Sequence, residues 1–248
     1  MMFKHEVLFS QQIEMKAMKR SPEFATAGYY FLLILLLTIT GFLIPFAQTW
    51  GDPGIQFPPI VHIHAGLMTS WLFMLIAQPF LILWKKEQLH ILLGKVSYVL
   101  MPLVMASIIW LTHESFSWLE GRNRYLSAAT QLMDGVLLLV CYLVAIYHRK
   151  NPEIHARWMI GSALAVAEPG LTRTLIAILP LDPDVSRGIS LSLLLLVVLV
   201  LRWRDHQKAV QPITFSRVLI LVLILGLFVM IGSESEGWKA FVDEIASI

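Results

Sequence analysis

Apolar residues in this chain come in long runs, not in the alternation of a half-buried strand or the stripe of a surface helix. Seven such stretches run approximately over 28–49, 59–84, 89–111, 126–147, 157–179, 185–203 and 215–232. Each is near the ~20 residues that carry an α-helix across a ~30 Å hydrocarbon core. The pattern therefore predicts an all-α, polytopic membrane helical bundle of about seven transmembrane helices. The sixth and seventh stretches are the shortest and purest, centred on SLLLLVVLVL and VLILVLILGLFVMI. Short polar turns separate the runs, such as Gly51-Asp52-Pro53-Gly54 and Leu181-Asp182-Pro183-Asp184.

Composition agrees with this reading. Of 248 residues, 57% are hydrophobic and only 15% charged, where a soluble domain carries about 25% charged residues to coat its surface. The mean hydropathy is +0.69. A net charge of +2 without a basic-aromatic patch argues against nucleic acid as a partner and leaves the lipid bilayer as the expected one. The single cysteine, Cys141, lies inside an apolar run and reads as a passive buried thiol. No repeat, long linker or soluble domain interrupts the pattern, so residues 1–248 read as a single integral membrane domain. Within it, 1–27 form a cytoplasmic or interfacial N-terminal segment and 59–179 a four-helix core that holds the polar residues. Residues 180–248 add two further spans and an acidic tail. Residues 1–20 lack a continuous apolar core and a small-residue cleavage site, so they predict an interfacial helix or a tail, not a cleaved signal.

Charge asymmetry sets the expected orientation. Fourteen Lys and Arg fall on one side: Lys4, Lys16, Lys19, Arg20, Lys85, Lys86, Lys95, Arg149, Lys150, Arg157, Arg202, Arg204, Lys208 and Arg217. Four fall on the other: Arg122, Arg124, Arg187 and Lys239. The basic side is expected in the cytoplasm. That places the N-terminus inside and the acidic C-terminal tail outside a bacterial-type cytoplasmic (inner) membrane.

Polar residues at depth are the informative ones, because each is costly unless paired or solvated. In the second stretch His64, Met68, Trp71, Leu75 and Gln78 share one helical face, and His62 points elsewhere. The third stretch carries a small and polar stripe of His90, Gly94, Ser97 and Met101, with His113 at its far end. The fourth carries Gln131, Asp134 and Cys141 on one face, Asp134 about 12 Å below the outer boundary at ~1.5 Å per residue. The fifth opens at His155 and Arg157 and carries Glu168, Pro169 and Arg173 into the outer half. The depths define an outer layer of His62 or His64, His113, Asp134, Glu168 and Arg173, and an inner layer of Gln78, His90, His148, His155 and Arg157. Stretches one, six and seven are expected to be apolar cladding.

Two chemistries compete for these residues. Histidines on different helices at one depth are what a b-type haem or a transition metal requires. His64 with His113 outside, and His90 with His155 inside, are the candidate cofactor pairs, His64 and His113 also the candidate metal ligands. Against that stands interfacial anchoring of histidines at helix ends. The polar cluster of Gln78, Asp134, Glu168, Arg173 and Arg157 suits instead a small transporter or proton-coupled permease, or a purely structural carboxylate–arginine pairing. A third class is a non-catalytic accessory subunit with a membrane-protein partner or a homo-oligomer. The methionines form no array and read as core filling. No Walker loop, HExxH or GxSxG pattern occurs, and no Lys or His lies in the seventh stretch.

Two motifs look familiar. Leu89-His90-Ile91-Leu92-Leu93-Gly94-Lys95-Val96-Ser97-Tyr98 is similar to an H-R-x-x-G-[RK]-x-Y helix opening. His155-Ala156-Arg157-Trp158-Met159-Ile160 is similar to an H-x-R-W-M-I opening, followed by Arg173 near the end of that helix. With His62-Ile63-His64-Ala65-Gly66 and Gln78, over roughly 59–175, the chain resembles a family of bacterial inner-membrane proteins of unknown function. Ile91 stands where the pattern prefers Arg. The resemblance implies a helical membrane fold and no established activity. A fainter likeness is to the four-helix core of transmembrane di-haem cytochromes b, although the fourth stretch lacks their outer-half histidine.

Overall fold

The structure, a computed structural model, describes residues 24, 26–49, 57–207 and 212–247. The expected interfacial segment at the N-terminus, the turn at Gly51–Gly54 and Lys208 lie outside the described residues. Helices account for almost all of the rest. They are α1 (Ala27–Thr49), α2 (Pro59–Leu83), α3 (Glu87–Ser115), α4 (Gly121–Tyr147), α5 (Pro152–Ile178), α6 (Pro183–Gln207), α7 (Pro212–Met230) and α8 (Glu236–Ala246). A 3₁₀ turn at Gly232–Glu234 joins the last two.

Each long helix overlaps one of the seven apolar runs, and α3, α4, α5 and α6 extend past it with polar residues. Proline opens α2, α5, α6 and α7, where its missing N–H costs nothing and its fixed φ suits the first turn. Asn151 caps α5 by accepting from Ile154 N at 3.2 Å. Asp182 caps α6, its Oδ1 accepting from Asp184 N at 2.9 Å.

Six helical segments are long and apolar enough to cross a membrane: α1, α2, α3, α4, α6 and Ile213–Glu234, which is α7 continued through the 3₁₀ turn. The chain is thus a multi-pass membrane protein by helix composition. Helix α5 is different. Its 27 residues are length enough, but it carries Glu153, Arg157, Glu168 and Arg173. It is also the central helix, packed against α1, α4, α6 and α7 and lightly against α2. The run Gly161–Val166 is buried on every side, a pattern that only a surrounded helix can sustain.

Close approach is made possible by small residues. A Cβ on Gly41 of α1 would lie 2.6 Å from Gly170 O of α5, and one on Gly170 would lie 2.7 Å from Thr38 Oγ1. The Thr174 hydroxyl sits 2.8 Å from both Leu37 O and Gly170 O, tying the two backbones together. In lipid, where helices gain nothing by hiding from water, such contacts supply the packing force. Between α2, α3 and α4 the mid-membrane core is Trp71, edge-on to Tyr142 at 5.5 Å, with Ser97 Oγ 2.9 Å from the Tyr142 hydroxyl. Met101 fills the same layer at 1% exposure, as core filling requires.

The end of the bundle that receives the C-termini of α1, α3, α5 and α7, called outer after the orientation the charge asymmetry predicts, is laced by polar contacts. Arg122 bridges Asp184 at 2.8 Å and Glu234 at 2.7 Å, joining the starts of α4 and α6 to the 3₁₀ turn. Helix α8 folds back over α4. Trp238 Nε1 donates to Tyr125 O at 2.9 Å, the Tyr125 hydroxyl reaches Asp243, and Val242 is 1% exposed. At this exposed end Glu236 holds the Lys239 ammonium above the usual lysine range through a 3.1 Å hydrogen bond.

A buried polar cluster as the candidate functional site

The residues singled out in the sequence fall into three groups. The first is the inner ion pair. Arg157, near the start of α5, is 1% exposed. Its Nε donates to Asp205 Oδ2 at 2.6 Å and its Nη2 to Asp205 Oδ1 at 3.0 Å, a two-pronged pairing with α6. Nη1 donates to Glu153 O at 2.9 Å, and the guanidinium lies 4.9 Å from the Phe24 ring centroid. Every prong of the charge is answered, so this is a register lock between α5 and α6. Asp205 escaped the sequence reading because it sits beside Arg204 at the end of an apolar run, where charges normally face water.

The second group is the histidines. His64 Nδ1 lies 3.0 Å from Ser107 Oγ of α3, and that hydroxyl also lies 2.7 Å from Val104 O. The serine has one proton to share between the imidazole and the carbonyl, and His64 Nδ1 is the ring nitrogen that it engages. His64 is half-buried and His62 exposed, as the helical phase predicts. His113 is exposed, its ring 6.0 Å from that of Phe116, six residues or ~9 Å of helix beyond Ser107. At the inner end Gln78 Nε2 donates to His90 O at 3.2 Å, His90 Nδ1 lies 3.4 Å from Gln78 O, and His155 Nδ1 donates to Ala145 O at 2.8 Å. His90 and His155 are therefore each used to tie two helices, whereas the ring of His148 rests against its neighbour Tyr147 at 4.9 Å. Among the described residues no group of three or more His, Cys, Asp or Glu side chains is placed to hold a metal ion.

The third group is the outer-half cluster. Asp134 of α4 and Glu168 of α5 line one cavity of about 40 Å³, whose polar wall is completed by Thr130 and by Arg187 of α6. Leu191 and Leu194 of α6, with Val222, Gly226 and Val229 of α7, supply apolar wall. The cladding expected of the sixth and seventh stretches is therefore corrected: both helices build the site, and α6 brings a charge to it. Arg187 was counted in the sequence as a charge of the outer loop. It lies four residues into α6, and its side chain is only 16% exposed.

These groups interact without closing on each other. Glu168 Oε1 accepts from the Thr172 hydroxyl at 2.8 Å, one turn on. Asp134 has no hydrogen-bond or ion-pair partner among the described residues, and no oxygen of either carboxyl reaches ion-pair distance of an arginine. Both carboxyls and the two arginines, Arg173 and Arg187, nevertheless lie within coulombic range of one another, and Arg173 of His64 as well. Arg173 is exposed on the surface of the bundle, its guanidinium 4.4 Å from the centroid of the Phe42 ring. Arg187 Nη1 makes a loose 3.4 Å contact to Asp184, and its Nε is buried with no acceptor. A buried donor without an acceptor costs about 1–3 kcal/mol.

The outer cluster therefore joins Asp134, Glu168 and Arg173 from the sequence reading with Arg187 and Thr172, which it missed. Gln78 and Arg157 belong to the inner end and to other contacts. No family model matches the chain, and no curated protein or solved structure matches it either.

Proposed function

We propose that the chain is a seven-span transporter of a small solute or ion, in a bacterial-type cytoplasmic membrane, with its N-terminus inside. The observation that carries this reading is the incompletely paired set Asp134, Glu168 and Arg187 around an intramembrane cavity, with Arg173 in coulombic range at the bundle surface. Ionisable groups at such depth are expensive, and those serving only stability close on their partners, as Arg157 and Asp205 do. Groups left open within coulombic range are arranged to exchange partners. The seventh crossing is α5, kept from lipid by its neighbours. With α5 counted, Lys85, Lys86, Lys95, Arg149, Lys150, Arg157, Arg202, Arg204 and Arg217 fall on one face, against Arg122, Arg124, Arg187 and Lys239 on the other, where the acidic C-terminal helix lies.

Light-scattering traces from proteoliposomes test the proposal, under imposed gradients of amino acids, organic acids, sugars and monovalent salts. The wild-type chain gives flux above empty vesicles for at least one class, and Glu168→Gln and Asp134→Asn reduce it at least tenfold. Unchanged flux in both variants assigns the cluster to structure.

A second reading has its own observation. With Nδ1 engaged by Ser107, His64 Nε2 is the ring nitrogen left to bind haem iron or a transition metal. A b-type haem would then sit between His64 and a second ligand such as His113. A dithionite-reduced spectrum without an α-band, together with metal-free elemental analysis, removes it.

A further inference from the structure

We infer that Asp134 is the coupling residue of the transporter: it takes up and releases the proton that drives the cycle, and Arg187 is its counter-charge on release. This rests on the transport reading above and specifies the coupling ion.

Four groups in the cluster are candidates for the proton, and geometry separates them. Glu168 is held by the Thr172 hydroxyl at 2.8 Å. Arg173 lies over Phe42 on the surface of the bundle. His64 is fixed by Ser107 on the neighbouring helix pair. Asp134 lines the cavity and, alone of the four, has no bonding partner among the described residues. The cavity, at about 40 Å³, has room for about one water, enough to hand a proton on. The titratable and charged groups that act on Asp134 are Glu168 and Arg173 from α5 and Arg187 from α6. The cavity face of α7, Val222 to Met230, contributes none.

Arg187 supplies the response. Its hold on Asp184 is loose, at 3.4 Å, and its Nε already lacks an acceptor. When the Asp134 O–H passes its proton to cavity water, the carboxylate left behind attracts the guanidinium away from Asp184. Asp184 is also the partner of Arg122, which ties the starts of α4 and α6 to the 3₁₀ turn. Protonation at Asp134 is thereby linked to the ion pairs that close the outer end.

Dicyclohexylcarbodiimide is the probe, because it modifies carboxyls that carry a proton in apolar surroundings. The carboxyl O–H adds across one C=N bond, its proton going to nitrogen, and an acyl shift leaves a stable N-acylurea. In the reconstituted full chain, peptide mass spectrometry is expected to find the adduct on Asp134, falling as pH rises. The adduct is lost in Asp134→Asn and retained in Glu168→Gln. Arg187→Gln removes the counter-charge, and its labelling profile moves to higher pH. Thermal unfolding in detergent verifies that each variant is folded. Adduct on Glu168 alone, on neither carboxyl, or on Asp134 independently of pH overturns the assignment. Flux without adduct leaves the transporter and removes the proton, whereas adduct without flux leaves the proton site and removes the transporter.

Discussion

The inner and outer ends of α5 use the same side-chain types to opposite effect. At the inner end Arg157 is enclosed and Asp205 answers it with two hydrogen bonds. At the outer half Asp134, Glu168, Arg173 and Arg187 feel one another's charge, yet no carboxylate–guanidinium pair among them closes. A buried ion pair offsets its desolvation only when geometry is complete. The inner pair meets that condition and holds two helices in register. The outer cluster does not, and its uncompensated cost is what the transport proposal rests on.

The contrast can be broken most severely from the inner end. Arg157→Ala or Asp205→Ala leaves one charge buried without its partner and is expected to cost about 3–5 kcal/mol, read as a large fall in Tm in detergent. The double variant is expected to lose less than the two singles combined. Additive losses would show that the pair does not act as a unit. Next in size is the α1–α5 contact: Gly170→Val drives a side chain into Thr38 and is expected to cost about 1–3 kcal/mol. A Tm equal to wild type would mean that the helices separate at no cost.

Part of this was legible in the chain and part was not. The seven runs marked the positions of α1–α7, because hydrocarbon demands length and apolarity that composition displays directly. Helical phase placed His64 inward and His62 outward, and grouped Asp134 with Glu168 by depth. Asp205 and Arg187 were missed for one reason. Each lies near a helix end, where sequence alone assigns a charge to water or headgroups, and only the packing of α6 against α5 makes it buried. Which helices face each other across a cavity is a long-range fact that a single sequence does not encode in its periodicity. The small-residue signal for the α1–α5 contact was present in Gly41 and Gly170 but has meaning only once the two helices are known to touch.

Smaller effects sharpen the comparison. Asp134→Asn and Glu168→Gln keep the shape of each side chain and are expected to change stability by less than about 1 kcal/mol, even where they stop flux. A loss as large as that of Asp205→Ala would make the outer cluster structural after all. Smallest is Arg122→Ala at the exposed outer end, where the charges are half in water. Exposed pairs of this kind contribute little and are screened by salt, so its Tm is expected to match wild type at high ionic strength.

The polarity of α5 also bears on how the chain is made. A segment with five ionisable side chains is a poor candidate to rest in lipid by itself as it leaves the ribosome. Arg157 is synthesised 48 residues ahead of Asp205, an interval on the order of 2–10 s at ordinary elongation rates. During that interval the nascent helix must wait beside α1 and α4 or in the insertion machinery. Its settlement in the bilayer is then expected to be a joint event with the arrival of α6, so that biogenesis is cooperative across helices and not sequential span by span.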